Sequence, residues 1–190
     1  MTDTQASREK LQAIIAEKSY ASGTNITLAS GKTSSHYFNM KPTMLNPEGA
    51  FLIANLMLDE IENLNGPFDA LGGLELGAVP IASAIAPISH TRGKPLCAFI
   101  IRKQPKDHGT ESLVEGLMLN ETLKGKNIII VEDVTTTGNS ALKAINAARK
   151  DGATVNYVIT ILDREEGAAQ NFKNDGITLI SLFKASDFLT

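Results

Sequence analysis

The chain has 190 residues, of which 43% are hydrophobic, so it fits one globular domain with a proper core and not a disordered polymer. Its formal net charge of −3 excludes a nucleic-acid binder that works by bulk positive charge, although a local basic patch stays open. No run approaches the roughly 18 apolar residues of a membrane span, and the N-terminus lacks the apolar core of a secretory leader. Cys97 is the single cysteine, so no internal disulfide can form and a cytoplasmic, reducing location is expected. Lying in an apolar run, Cys97 reads as a small buried core residue rather than a reactive thiol.

In chain order, Leu11, Ile14 and Ile15 recur at helical spacing and predict an amphipathic helix over Ser7–Lys18. Residues 26–41 read as two short strands around a turn at Gly31. Within them Ser30-Gly31-Lys32-Thr33 imitates the end of a phosphate-binding P-loop, but that motif requires glycine where this chain has Ile26. Asn46-Pro47-Glu48 is a strong helix start: an N-cap, a proline at the first helical position and an acid facing the dipole. Leu52, Ile53, Leu56, Met57 and Ile61 supply the apolar face of that helix, and Asn65-Gly66-Pro67 stops it. Asp69–Leu74 predicts a short strand, Pro80 fits the first turn of a helix to about His90, and Leu96–Ile101 predicts another strand. From Arg102 to Gly116 apolar periodicity is lost, and Arg102, Lys103, Lys106 and His108 crowd together. This is an exposed loop, either solvated surface or a lid that brings cations onto a polyanion.

The most informative stretch is Asn127–Leu142. Ile128–Val131 are consecutive β-branched residues and read as a strand buried on both faces. Glu132 and Asp133 follow where that strand emerges, then the polar turn Thr135-Thr136-Thr137-Gly138, then a helix from about Asn139. The turn and helix start offer N–H groups to a phosphate. The acids can accept hydrogen bonds from sugar hydroxyls or hold a hydrated Mg²⁺. Ala141, Leu142, Ile145 and Ala148 face that helix inward, Val155–Leu162 is a further buried strand ending in Asp163-Arg164-Glu165-Glu166-Gly167, and Ile177–Leu182 is the last strand. Strands alternating with helices from residue 69 onward give an α/β fold with a mostly parallel central sheet flanked by helices. Ligands bind such sheets beyond the C-terminal strand ends. The segments after Gly72, Ile101, Val131 and Leu162 are therefore expected to converge on one edge.

The strand, acid pair and Thr/Gly turn resemble the 5-phosphoribosyl 1-diphosphate (PRPP) signature of the type I phosphoribosyltransferases. Three further segments are similar to the orotate phosphoribosyltransferases: the loop Arg102-Lys-Gln-Pro-Lys-Asp-His-Gly, the hood segment Leu28-Ala-Ser-Gly-Lys-Thr-Ser-Ser-His-Tyr-Phe-Asn, and Leu162-Asp-Arg-Glu-Glu-Gly. The matches span about Leu28 to Gly167. The resemblance implies a type I phosphoribosyltransferase fold over one domain, residues 1–190, with a small N-terminal hood from 1–45 plus the C-terminal segment and a core of about 46–165. It implies transfer of the phosphoribosyl group from PRPP to orotate in pyrimidine synthesis, with Mg²⁺ carried on PRPP, no protein ligand binding it directly, and water as the link to Glu132 and Asp133. It assigns catalytic roles to Lys103, Lys106, His108 and Asp133. PRPP contacts fall to Arg102, Lys103, Lys106, His108, Glu132, Asp133, Val134, Thr135, Thr136, Thr137, Gly138, Asn139 and Ser140. Orotate contacts fall to Thr136, Arg164, Tyr37 and Phe38. It further implies a homodimer in which loop 102–116 reaches the neighbouring subunit's site and carries Lys103 there.

Two departures stand out. Many orotate enzymes have a lysine where this chain has Ala29, and Tyr-Lys where it reads Leu74-Glu75-Leu76, so two cations are missing near the diphosphate; Lys32 and Lys41 are the nearest replacements in sequence. The competing readings are a phosphoribosyltransferase for a purine or uracil, which needs no cation for a base carboxylate, and a PRPP-sensing regulator, which needs no cationic loop. A PRPP synthetase requires two such domains and is excluded by length.

Overall fold

Ile128, Ile129, Ile130 and Val131 are all completely buried at the middle of a six-stranded sheet. The protein is seen here as a computed structural model describing residues 4–27, 33–105, 113–118 and 121–189. The elements are α1 (Thr4–Lys18), β1 (Tyr20–Thr27), β2 (Thr33–Phe38), α2 (Lys41–Met44), α3 (Pro47–Glu62), β3 (Ala70–Leu74), α4 (Ala78–Thr91), β4 (Cys97–Ile101), β5 (Val114–Glu115), β6 (Asn127–Thr135), α5 (Asn139–Lys150), β7 (Thr154–Asp163), α6 (Ala168–Asn174) and β8 (Thr178–Lys184), closed by a 3₁₀ turn over Ala185–Phe188. The sheet order is β5-β4-β3-β6-β7-β8, parallel throughout except for the short antiparallel edge β5.

The period of two along β6 divides its side chains between two cores. Ile129 and Val131 join Leu11 and Ile15 of α1, Ile53 and Met57 of α3, and Ile81 and Ile85 of α4. Ile128 and Ile130 point the other way, to Ala141, Ala144, Ile145 and Ala148 of α5 and Phe172 of α6. Covering both faces is why the strand reads as an unbroken apolar run instead of an alternation. The start of α3 follows its sequence signals: the Asn46 side chain accepts from the N–H groups of Glu48 and Gly49 at 3.1 and 3.0 Å, and Pro47 is the first helical residue.

The hairpin β1–β2 stands apart from the main sheet, pairing Tyr20 with Phe38, and its ladder is irregular between Ser22 and Ile26. Tyr20 and Phe38 pack with ring centroids 5.0 Å apart, and Phe188 of the C-terminal turn meets Phe38 edge-on at 5.6 Å. The chain's last residues therefore help to build the base of the hairpin.

Three features depart from the sequence reading. α2 is only four residues long, too short for periodicity to reveal. β5 is a two-residue strand that exists because Ile100 and Ile101 hold it in register with Glu115 and Val114, which is a tertiary cause. Cys97 is exposed, not buried. It opens β4 beyond the reach of β5, so nothing in the sheet covers its outer side. Among the described residues no helix is long and apolar enough to cross a membrane.

Candidate active site

Because β4, β3, β6 and β7 are parallel neighbours, their C-terminal exits open on one edge, as expected. Glu75–Gly77 leaves β3, Arg102 and Lys103 leave β4, Glu132–Gly138 completes β6 and its turn, and Asp163–Gly167 leaves β7.

Glu132 is buried, only 7% exposed, and its Oε2 has no hydrogen-bond partner among the described residues. Burial pushes its carboxyl well above the ordinary carboxylate range, and the adjacent Asp133 carboxylate pushes the same way; the Asp133 N–H and the Lys103 charge oppose them. Asp133 Oδ1 accepts the N–H of Val134 at 2.9 Å. The loop after β3 closes over this pair at Gly77: a Cβ there would lie 2.6 Å from Asp133 Oδ1, so any larger residue would displace the carboxylate. The Glu75–Leu76 peptide in this loop is cis.

The raised Glu132 pKa has a stability consequence. An acid whose folded pKa exceeds its unfolded pKa favours the folded chain most below the ordinary carboxylate range, and that contribution is lost as pH rises through the raised value. The melting temperature of the ligand-free protein is therefore expected to fall as pH rises from the ordinary carboxylate range through the raised value, and Glu132→Gln to flatten that fall. Thermal scans of both proteins across this range check it; equal slopes would remove Glu132 as the cause.

The turn after β6 is held from one side. The carbonyls of Thr135, Thr136 and Thr137 accept from Arg164 N–H (2.8 Å), Ala168 N–H (3.2 Å) and Asn171 Nδ2 (2.9 Å). In a trans peptide the N–H points opposite to the preceding carbonyl, so the N–H groups of Thr136, Thr137 and Gly138 face away from β7 and α6. Glu132, Val134 and residues 135–141 line a cavity of about 50 Å³ at this turn. Gly138 has φ 82° and would place a Cβ 2.6 Å from the Phe172 ring, so the turn needs glycine on both counts. The N-cap of α5 is Gly138, which has no side chain to cap the helix, and a helix start of this kind offers its first N–H groups to an anion.

On the next strand, Asp163 is buried and its Oδ1 accepts from Thr135 Oγ1 at 3.2 Å and from the Glu165 N–H at 3.1 Å. Sequence reasoning missed this tie between the phosphate turn and the β7 exit; the signal was an acid ending an apolar strand directly before Arg164. Glu165 lies in the left-handed region at φ 59°. The Arg164 side chain is 13% exposed and its guanidinium meets Glu166 at 2.7 Å.

At the β4 exit the Arg102 N–H donates to the Leu113 carbonyl at 2.9 Å, and its guanidinium pairs with Glu115 of β5 at 3.1 Å. Arg102 therefore holds the base of its own loop. The Lys103 N–H donates to Glu75 Oε1 at 2.9 Å, a contact the sequence did not signal. In the hood Phe38 is buried in the aromatic cluster, whereas Tyr37, its neighbour on the strand, is 39% exposed. Lys41 opens α2 with its side chain exposed. Lys106 and His108, together with Ala29 and Lys32, lie outside the described residues. Among the described residues no group of three or more His, Cys, Asp or Glu side chains is placed to hold a metal ion.

The chain as a whole is similar to known proteins. The phosphoribosyl transferase domain family matches residues 44–181. An orotate phosphoribosyltransferase of Bradyrhizobium sp. strain BTAi1 is 52% identical over 184 residues, 97% of this chain and 98% of that protein. Among solved structures, the orotate phosphoribosyltransferase of Mycobacterium tuberculosis H37Rv in complex with Fe(III) dicitrate superposes with a TM-score of 0.83 at 34% identity, over 97% of this chain and 99% of that one. The same enzyme in complex with PRPP gives 0.77 at 32% identity, over 96% and 98%. With its parallel sheet and its acid pair ahead of an N–H-lined turn, the chain is a type I phosphoribosyltransferase. Within that class it belongs to the orotate phosphoribosyltransferase family.

Proposed function

We propose that the chain transfers the 5-phosphoribosyl group from PRPP to orotate, giving orotidine 5′-monophosphate and pyrophosphate for pyrimidine synthesis. The observation that carries this reading is the adjacency of the acid pair and turn at the end of β6 to Arg164, a mostly buried arginine directly after β7, the neighbouring strand. The turn, Val134 to Ser140, receives the 5′-phosphate; Thr136, half-buried inside it, also faces the base. Glu132, with its unpartnered Oε2, and Asp133 accept the ribose hydroxyls. Arg164 pairs with the carboxylate of orotate, which its planar fork suits. Of the two hood aromatics, Tyr37 has the exposure to cover the base.

Cleavage at the ribose C1 builds positive charge on the sugar and negative charge on the departing pyrophosphate. Lys103, with Lys106 and His108 further along the loop, meets the second charge. Glu132 and Asp133 are oxygen donors of the kind a hydrated Mg²⁺ takes, and the ion, bound to PRPP, supplies further neutralisation of the diphosphate. Lys103 leaves β4 where Glu75 of its own chain accepts its N–H, in the loop that closes on the acid pair at Gly77. We therefore assign Lys103 to its own subunit's site, in place of the partner's site that the family resemblance implies, within a homodimer that the rest of the loop bridges.

The test is pyrophosphate release from PRPP and Mg²⁺ with orotate, uracil, adenine or hypoxanthine. Release with orotate alone is expected; release with uracil and not orotate would overturn the assignment. A narrower prediction concerns Glu166, which now occupies the arginine that orotate must take. Glu166 is substantially exposed, so the pair is worth about 0.2–1 kcal/mol. Glu166→Ala is expected to lower the orotate KM by up to about fivefold with kcat unchanged, measured by steady-state kinetics at saturating PRPP.

A further inference from the structure

The loop leaving β3 is tied twice to the exit of β4. The Glu75 N–H donates to the carbonyl of Ile101, the last residue of β4, at 2.8 Å. The Glu75 carboxylate then accepts the N–H of Lys103 at 2.9 Å, two residues further along the same chain exit. One residue thus grips β4's exit from both sides of Arg102. Two residues after Glu75, the backbone at Gly77 lies against the Asp133 carboxylate. A three-residue loop therefore joins the acid pair directly to the backbone of Lys103.

From this we infer that Glu75 is a positioning residue for the transfer reaction: through the Lys103 N–H it fixes where the Lys103 side chain starts, beside the acid pair. The inference rests on the proposed role of Lys103. Glu75 contributes no charge to the diphosphate and touches no reacting atom. It removes freedom from the one described cation of the loop that has to arrive at a defined place when the bond breaks. A lysine on an unanchored exit samples many positions, and the reaction uses few of them. Because the bond is to a main-chain N–H, the acceptor oxygen matters and the negative charge does not.

The experiment compares Glu75→Ala, Glu75→Gln, Lys103→Ala and the double variant Glu75→Ala/Lys103→Ala in the full-length protein. Glu75→Ala is expected to lower kcat about tenfold while shifting the PRPP KM less than about twofold. Glu75→Gln, which keeps an oxygen for the Lys103 N–H, is expected to stay within about threefold of wild type. In the Lys103→Ala background, Glu75→Ala is expected to add no further loss, because the two residues act as one unit. Amide hydrogen exchange gives a readout independent of activity: the peptide holding Lys103 should exchange faster in Glu75→Ala than in Glu75→Gln. Independent, multiplying losses, or Gln as slow as Ala, overturn the positioning role. A wild-type kcat in Lys103→Ala overturns the role of Lys103 itself. A slow Lys103→Ala enzyme beside an unimpaired Glu75→Ala enzyme overturns only the role of Glu75.

Discussion

Arg164→Ala is expected to lower kcat/KM for orotate by roughly 10²- to 10³-fold, with the PRPP KM close to wild type. The guanidinium is mostly buried, so a ligand carboxylate paired with it gives up water and keeps few other partners. Removing one member of a buried, hydrogen-bonded charge pair costs about 2–5 kcal/mol, which spans this range. The loss falls on the base rather than the sugar, because the phosphate turn is tied to β7 through main-chain atoms and Asp163, none of which the substitution removes. Arg164→Lys is expected to recover only part of the loss, since an ammonium cannot form the paired bonds of the fork. Initial rates at varied orotate and saturating PRPP measure both effects. An unchanged kcat/KM in Arg164→Ala would move recognition of the carboxylate elsewhere.

Lys103→Ala is expected to act on a different quantity, kcat, which should fall by about 10²-fold with only a small change in PRPP binding. The lysine meets charge that develops as pyrophosphate leaves, so its contribution is larger at the transition state than in the ground state. Steady-state kinetics beside direct PRPP binding separates the two terms. Mixing Lys103→Ala subunits with Arg164→Ala subunits then reports which site the lysine serves. If Lys103 acts in its own chain, both sites of every mixed dimer stay defective and activity is not recovered; recovery would transfer Lys103 to the partner's site.

The sequence carried the central architecture because the relevant signals are local. Four β-branched residues ahead of two acids announce a buried strand and its exit, and Asn46-Pro47 marks a helix start that the observed cap reproduces. The parallel order of the sheet then brought the expected strand exits together without further information. What stayed hidden depends on neighbours distant in sequence. Glu75 reads as one more loop acid until β4 brings the Lys103 N–H to it across 28 positions. β5 has two residues and no pattern of its own. Phe38 and Tyr37 look interchangeable in a strand, and the rings of Tyr20 and of Phe188, at the far end of the chain, meet the one that is buried. Arg102 reads as one more cation for the substrate, and nothing in its local sequence announces that its guanidinium also pairs with Glu115.

The exposure of Cys97 has a practical consequence. It is the only cysteine in the chain, and it begins the five-residue strand whose other end leads to Lys103. At about 3.3 Å per residue that separates the thiol from Ile101 by roughly 13 Å along the strand, on the opposite edge of the sheet from the acid pair. A maleimide fluorophore or spin label can therefore be attached at one defined point without a cysteine-free background and without entering the site. The natural sequence already provides a fixed reference from which distances to a second, engineered label on the 102–116 loop can be followed during turnover.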